Sequence, residues 1–177
     1  GADDYIFGGD ASKWLMNAYL LKARYANRLS KKDATGSANK ALEALNGAYA
    51  AGYTGNGSNL YAIFGPGVTE SNQWYVFNQD RAGYVSMGST LVGMMSAIND
   101  PRLAFYAAKD GSGNYSNESS IGAKYGSAES KLPLLTYAEA KFIEAEAQMR
   151  LGNKAAAAAA HNAAVIANLN DVTGGGD

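Results

Sequence analysis

The sequence predicts a mainly α-helical protein in which two helical hairpins flank a long, irregular, aromatic-rich segment. Three observations carry this. Leu134–Leu169 reads as two helices folded back on each other around Gly152 and Asn153, and Asp10–Gly52 is a fainter copy of it. Between them, Gly52–Val85 combines six glycines with seven aromatics: Tyr53, Tyr61, Phe64, Trp74, Tyr75, Phe77 and Tyr84. Glycine at that density breaks long regular elements, while so many aromatics are foreign to disordered chain. A scaffold of hairpins around such loops suits binding better than chemistry.

The elements follow in order. Asp10 is placed to cap a first helix, whose apolar positions Trp14, Ala18, Leu21, Tyr25 and Leu29 recur with a helical period. Lys31 and Lys32 near its end suit the helix dipole. Thr35 or Ser37 starts the next helix, with a stripe of Ala41, Leu42, Leu45, Ala48 and Tyr49 and a stop at Gly52. Two short helices are expected further on, over 88–98 and from Pro101 to Ala108, joined by the turn Asn99–Arg102. There an Asp100–Arg102 pair would tie the turn down. Asp110–Ser130 is Gly/Ser/Asn-rich and reads as loop.

The second hairpin has the clearer signals. Thr136 and Glu139 match a capping box, with Glu139 reaching back to the helix start. Ala138, Phe142, Ala145 and Met149 form its stripe, Gly152 ends it, and Asn153 opens an alanine-rich helix through Val165 and Leu169. The two hairpins align at an offset of 122 residues, pairing Arg28-Leu29 with Arg150-Leu151 and Leu20 with Phe142. They are either two tetratricopeptide-like units with an insertion, or unrelated amphipathic helices that share letters. The expected organisation is one domain over residues 1–177: a first hairpin at 10–52, an insertion at 53–133 and a second hairpin at 134–169.

Composition narrows the function classes. Net charge is −1, against the basic surface that nucleic-acid binding needs; the seven Lys/Arg within Asp10–Gly52 read as a solvated helix face. There is no cysteine, which excludes disulfides and thiolate chemistry. No apolar run reaches the roughly 20 residues of a membrane-spanning helix. Nothing near Gly1 resembles a signal peptide, and both ends look cut rather than natural, as in a mature form or a fragment.

Catalytic and metal constellations fall away. His161 is the single histidine, so neither a zinc site nor a Ser-His-Asp triad has its parts. Glu139, Glu144 and Glu146 sit in regular helix, where capping and solvation explain them better than a glycosidase pair. Asp110–Glu118 begins like a calcium loop, but Ile121 stands where the closing carboxylate belongs, so it reads as a polar turn. No metal and no cofactor is expected. What remains is Asn72–Arg81, where aromatic faces interleave with amides, a carboxylate and a guanidinium. That mixture fits a sugar or a peptide, each with apolar C–H patches beside polar groups. Trp74, Tyr75, Asn72 and Arg81 are the expected ligand contacts, and Phe64 and Phe77 the expected core members.

Gly8–Trp14 followed by Leu20–Ser30, then Asn72–Met95 with Ile98–Leu103, then Leu132–Asn153 resemble, in that order, conserved-looking sections of the SusD/RagB-type nutrient-binding proteins of Bacteroidetes, SusD-like subgroup. The resemblance covers most of Tyr5–Leu169. It implies a helical fold with tetratricopeptide-like hairpins and a large irregular subregion. It implies a non-enzymatic, surface-exposed outer-membrane lipoprotein that captures glycans, or in some members peptides, and delivers them to a SusC-like TonB-dependent transporter. Membrane contact would come through a lipid anchor absent from this chain. Two departures accompany it: such proteins are much longer than 177 residues, and Gln73 stands where they often carry proline. A helical scaffold for protein partners is the competing expectation.

Overall fold

The computed structural model describes residue 1 and residues 3–174. Its elements are helices α1 (Ala11–Arg28) and α2 (Ala34–Ala50), a 3-10 turn (Asn56–Ser58), strand β1 (Leu60–Ala62), helices α3 (Gln73–Asp80), α4 (Ser89–Ala97) and α5 (Leu103–Tyr106), strand β2 (Leu132–Leu135), and helices α6 (Tyr137–Arg150) and α7 (Lys154–Thr173). The two strands pair as a two-stranded sheet. The chain divides into two compact units. One comprises residues 1–61 and 133–171, the other residues 62–132 and 172–174.

The first unit is helix on helix. α1 and α2 pack along their length, and α6 lies against both. Asp10 caps α1 as expected, accepting from the Ser12 and Lys13 amides. Its entry is fixed by the Asp4 carboxylate, which accepts the Trp14 indole N–H at 2.7 Å and the Ile6, Phe7 and Gly9 amides. The indole bond and these amides hold the Asp4 carboxyl at about 2, below its ordinary 3.8. Asp33, not Thr35 or Ser37, caps α2 by accepting from the Gly36 amide. At Gly47 an added Cβ would stand 2.6 Å from the Tyr19 ring, so glycine there lets α1 and α2 approach closely.

The core of this unit gathers Met16, Leu20 and Ala23 from α1, Ala38, Ala41, Leu45 and Ala48 from α2, Ala140, Ile143 and Ala147 from α6, and the fully buried Tyr53. The α2 stripe is as expected. The α1 stripe is not: Tyr25 is 57% and Leu29 52% exposed, and Trp14 also faces outward. The α6 stripe is likewise displaced, with Phe142 and Met149 exposed. Each of these helices carries two apolar faces, and periodicity alone does not say which one the unit buries. At the offset of 122, the C-terminal ends of α1 and α6 correspond, but their starts do not and neither do the buried faces, since Leu20 is buried where Phe142 is exposed. α7 buries Ala157, Ala160, Ala164 and Ala167 along one line.

Polar bonds join these helices. The Arg24 guanidinium clasps Glu139 through Nε (2.5 Å) and Nη2 (2.6 Å) and donates to the Leu134 carbonyl. The Thr136 hydroxyl accepts from the Glu139 amide, as a capping residue should. The reciprocal half of the box does not form in the expected way, because the Glu139 carboxylate turns to Arg24 instead. Asn59 forms a second joint: its Oδ1 accepts the Tyr137 amide at 2.7 Å and also faces the Tyr53 hydroxyl.

The second unit has a small core of Val92, Met95, Leu103 and Ala107, with Met87, Tyr106 and Tyr115 against it. An isolated bridge joins Ala107 to Ile121. α4 falls within the expected span, whereas the helix expected from Pro101 to Ala108 shrinks to one turn. Asp100 ties down its start as expected, its carboxylate accepting from Arg102 Nε at 2.9 Å and Nη2 at 2.6 Å and from the Arg102 amide. Asn99 takes the turn with φ of 51°, a left-handed conformation that asparagine tolerates.

Candidate functional site

The acidic residues of α6 are tied into the framework. Glu139 holds Arg24, Glu144 accepts from the Tyr49 hydroxyl and Lys141 at 2.8 Å each, and Glu146 accepts from Asn27 and Arg150. Carboxylates so engaged serve packing. His161 is a surface residue of α7 whose ring meets Phe142 edge-on at 5.7 Å. The Asp110 loop closes on itself: the carboxylate accepts from the Ser116 hydroxyl and the Ser112 and Asn114 amides, and the hydroxyl bond leads in drawing its pKa below the ordinary 3.8. Among the described residues no cluster of three or more His, Asp or Glu is arranged to hold a metal.

The aromatic segment is different. α3 is an eight-residue helix in which no side chain is buried. Such a helix gains little from a core, so its position depends on its start. Asn72 supplies that start. It is 0% exposed. Its Oδ1 accepts from the Trp74 amide at 2.8 Å and the Tyr75 amide at 3.4 Å. Its Nδ2 donates to the Ser130 carbonyl at 2.6 Å, and its own amide donates to the Ala128 carbonyl at 2.8 Å. One side chain thus caps the helix and moors it to the Ala128–Ser130 segment.

From this anchor α3 projects Trp74, 51% exposed, and Phe77, 45% exposed, one helical turn apart. With Gln73, Val76 and Asp80 they line a shallow, open depression. These five positions share one helix face, a strip of ring and methyl surface with an amide at one end and a carboxylate at the other. Tyr75 is half-buried. Arg81 ends the helix, exposed, with its guanidinium 6.0 Å from the Tyr84 ring centre and outside the depression. Of the four expected contacts, Trp74 therefore lines the depression, Asn72 lies beneath the helix as its support, and Tyr75 and Arg81 lie beside it. Phe77 corrects a core expectation: a phenylalanine at i+3 from an exposed tryptophan shares its face. The signal that could have found it is Asn72 itself, a good cap that opens a helix at Gln73.

The family model described as "Starch-binding associating with outer membrane", SusD-like, matches residues 1–173. The chain belongs to this SusD-like family. A search of curated proteins gave no significant match. Among solved structures, it is similar to a chitin-binding SusD homolog from Flavobacterium johnsoniae (21% identity, TM-score 0.74, covering 93% of this chain and 36% of that one). It is also similar to a SusD-like protein from Bacteroides thetaiotaomicron VPI-5482 (24%, TM-score 0.78, covering 96% and 38%). A SusD homolog from Bacteroides vulgatus ATCC 8482 is a third (24%, TM-score 0.78, covering 98% and 38%). Identities this low show a shared fold. The present chain spans well under half the length of these SusD-like structures. The mainly α-helical fold, with short strands and a helical-hairpin scaffold, is that of the family. Among the described residues no helix is long and apolar enough to cross a membrane.

Proposed function

We propose that this SusD-like chain is a glycan-binding module of a non-enzymatic, surface-exposed outer-membrane protein that captures oligosaccharides and passes them to a SusC-like TonB-dependent transporter. Its 177 residues form one SusD-like domain in this reading, with the insertion carrying the ligand site and the hairpins carrying the frame. One observation carries the proposal: α3 holds Trp74 and Phe77 about half-exposed, one turn apart, along one shallow depression. Large exposed rings beside an amide and a carboxylate match the alternating C–H and hydroxyl surface of a sugar ring. The family description, starch-binding, and the chitin-binding relative agree in ligand class. Trp74 is the principal contact, Tyr75 and Arg81 flank it, and Asn72 acts by positioning the helix.

The test separates binding from folding. Trp74→Ala should weaken oligosaccharide binding at least tenfold, about 1.4 kcal/mol. It should change unfolding free energy by less than about 0.5 kcal/mol, as surface substitutions do. Equal losses in both would place Trp74 in packing and refute the site. The same titration with peptides distinguishes a peptide-binding member.

A second reading, a scaffold for protein partners, draws on the outer face of α1, where Trp14, Tyr25 and Leu29 are exposed together. Capture of a protein partner by the wild-type chain, lost on Tyr25→Glu, with no oligosaccharide bound by the wild-type chain, supports it over the glycan reading.

A further inference from the structure

Resting on the glycan-binding reading, we infer that Asp80 is a specificity residue that biases this site against acidic glycans and towards neutral or amino-sugar chains. Asp80 follows Trp74 and Phe77 along the i, i+3 row that winds round the helix, and lines the same depression. Six residues of helix advance roughly 9 Å, so a sugar chain stacked on both rings runs past the carboxylate. The other lining residues, Gln73, Trp74, Val76 and Phe77, carry no charge. The nearest cation in sequence, Arg81, is directed to the Tyr84 ring and lies outside the lining. The depression therefore presents a carboxylate with no basic group among its lining residues to offset it. A uronate or sulfate placed over the rings meets a like charge. A neutral sugar meets a hydrogen-bond acceptor, and a protonated amino sugar meets an opposite charge.

The size of the effect follows from the setting. Two unit charges about 4 Å apart in water interact by about 1 kcal/mol, which is about a fivefold change in affinity at low salt. The effect fades as the screening length falls from about 30 Å at 0.01 M salt to about 3 Å at 1 M.

The experiment titrates the chain with three probes: oligomers of N-acetylglucosamine (neutral), their de-N-acetylated forms (cationic) and oligogalacturonate (anionic). The readout is the ratio of charged to neutral affinity, in which any general weakening by a variant cancels. Wild type should rank cationic above neutral above anionic at low salt. Asp80→Asn should raise the anionic-to-neutral ratio about fivefold and lower the cationic-to-neutral ratio about as much. Asp80→Lys should move both ratios further in the same directions, and high salt should erase the shifts that the two variants cause. Ratios unmoved by both variants overturn the role of Asp80 while leaving the glycan site standing. Failure of the wild-type chain to bind any of the three probes overturns the glycan reading and this inference with it.

Discussion

Asn72 offers a sharp test of how the exposed helix is held. Two functions converge on one buried amide: Oδ1 caps α3 and Nδ2 moors it to the Ser130 carbonyl. Substitutions separate them. Asn72→Ala removes both. Loss of the cap costs about 1 kcal/mol, and leaving a buried carbonyl unpaired costs about another 1–3 kcal/mol. The expected total, about 2–4 kcal/mol, corresponds to a fall in Tm of roughly 4–16 °C for a chain of this size. Asn72→Asp keeps an excellent cap yet turns a carboxylate oxygen towards the Ser130 carbonyl in a buried setting. It should be no better than alanine at pH 7 and recover as pH falls and the acid protonates to become a donor. Asn72→Ser keeps the cap alone and should fall between wild type and alanine. Chemical denaturation gives the free energies, and hydrogen exchange at Val76 and Phe77 reports whether α3 opens locally. Glycan affinity should fall in step with stability across this series, unlike Trp74→Ala, where affinity falls alone. A stable Asn72→Asp at pH 7, or an Asn72→Ala that loses affinity at unchanged Tm, would refute the support role and return Asn72 to direct contact with ligand.

Two further outcomes test the framework. Arg24→Ala should destabilise the chain by about 1–3 kcal/mol, because Glu139 and the Leu134 carbonyl lose a shared charged donor, and Arg24→Lys should recover little because an ammonium lacks the two-pronged geometry; urea denaturation of the two variants checks this. The Arg102 guanidinium holds the Asp100 carboxyl below its ordinary 3.8, so the ionised folded form is favoured. The stability this provides is present above 3.8 and is lost as pH falls through the lower folded value, so Asp100→Asn should flatten the acid limb of a Tm-against-pH curve below about pH 4 and lower Tm at neutral pH.

What could be read in advance followed the strength of local signals. Asp10, Thr136 and Gly152 announce helix ends by chemistry that acts within one turn, and the structure places helix ends at each. Which face a helix buries is a tertiary matter. On α1 the sequence offers Trp14–Ala18–Tyr25–Leu29 and Met16–Leu20–Ala23, and close approach to α2 at Gly47 selects the second, smaller set. On α6, Ala140, Ile143 and Ala147 win for the same reason, since α1 and α2 both come near and leave no room for Phe142. Glu139 shows a different gap: a capping box is a local pattern, and the distant Arg24 outbids its second half. In the candidate site, residue types were legible but not their sides. Asn72 and Trp74 lie two apart in sequence, yet one lies beneath α3 and the other above it.

The pairing of β1 with β2 has a consequence for how such a chain can change over time. Neighbouring strands lie about 4.8 Å apart, so Leu60–Ala62 and Leu132–Leu135 bring the two ends of the chain between them close together. A segment whose ends already meet adds little closure entropy when it lengthens or shortens, about 0.6 kcal/mol per doubling. Changes in the length of the chain between the strands therefore cost the strand pairing little. New loops, new rings and new charges can be tried within that stretch while Arg24, Glu139 and the alanine-lined core go on holding the frame unchanged.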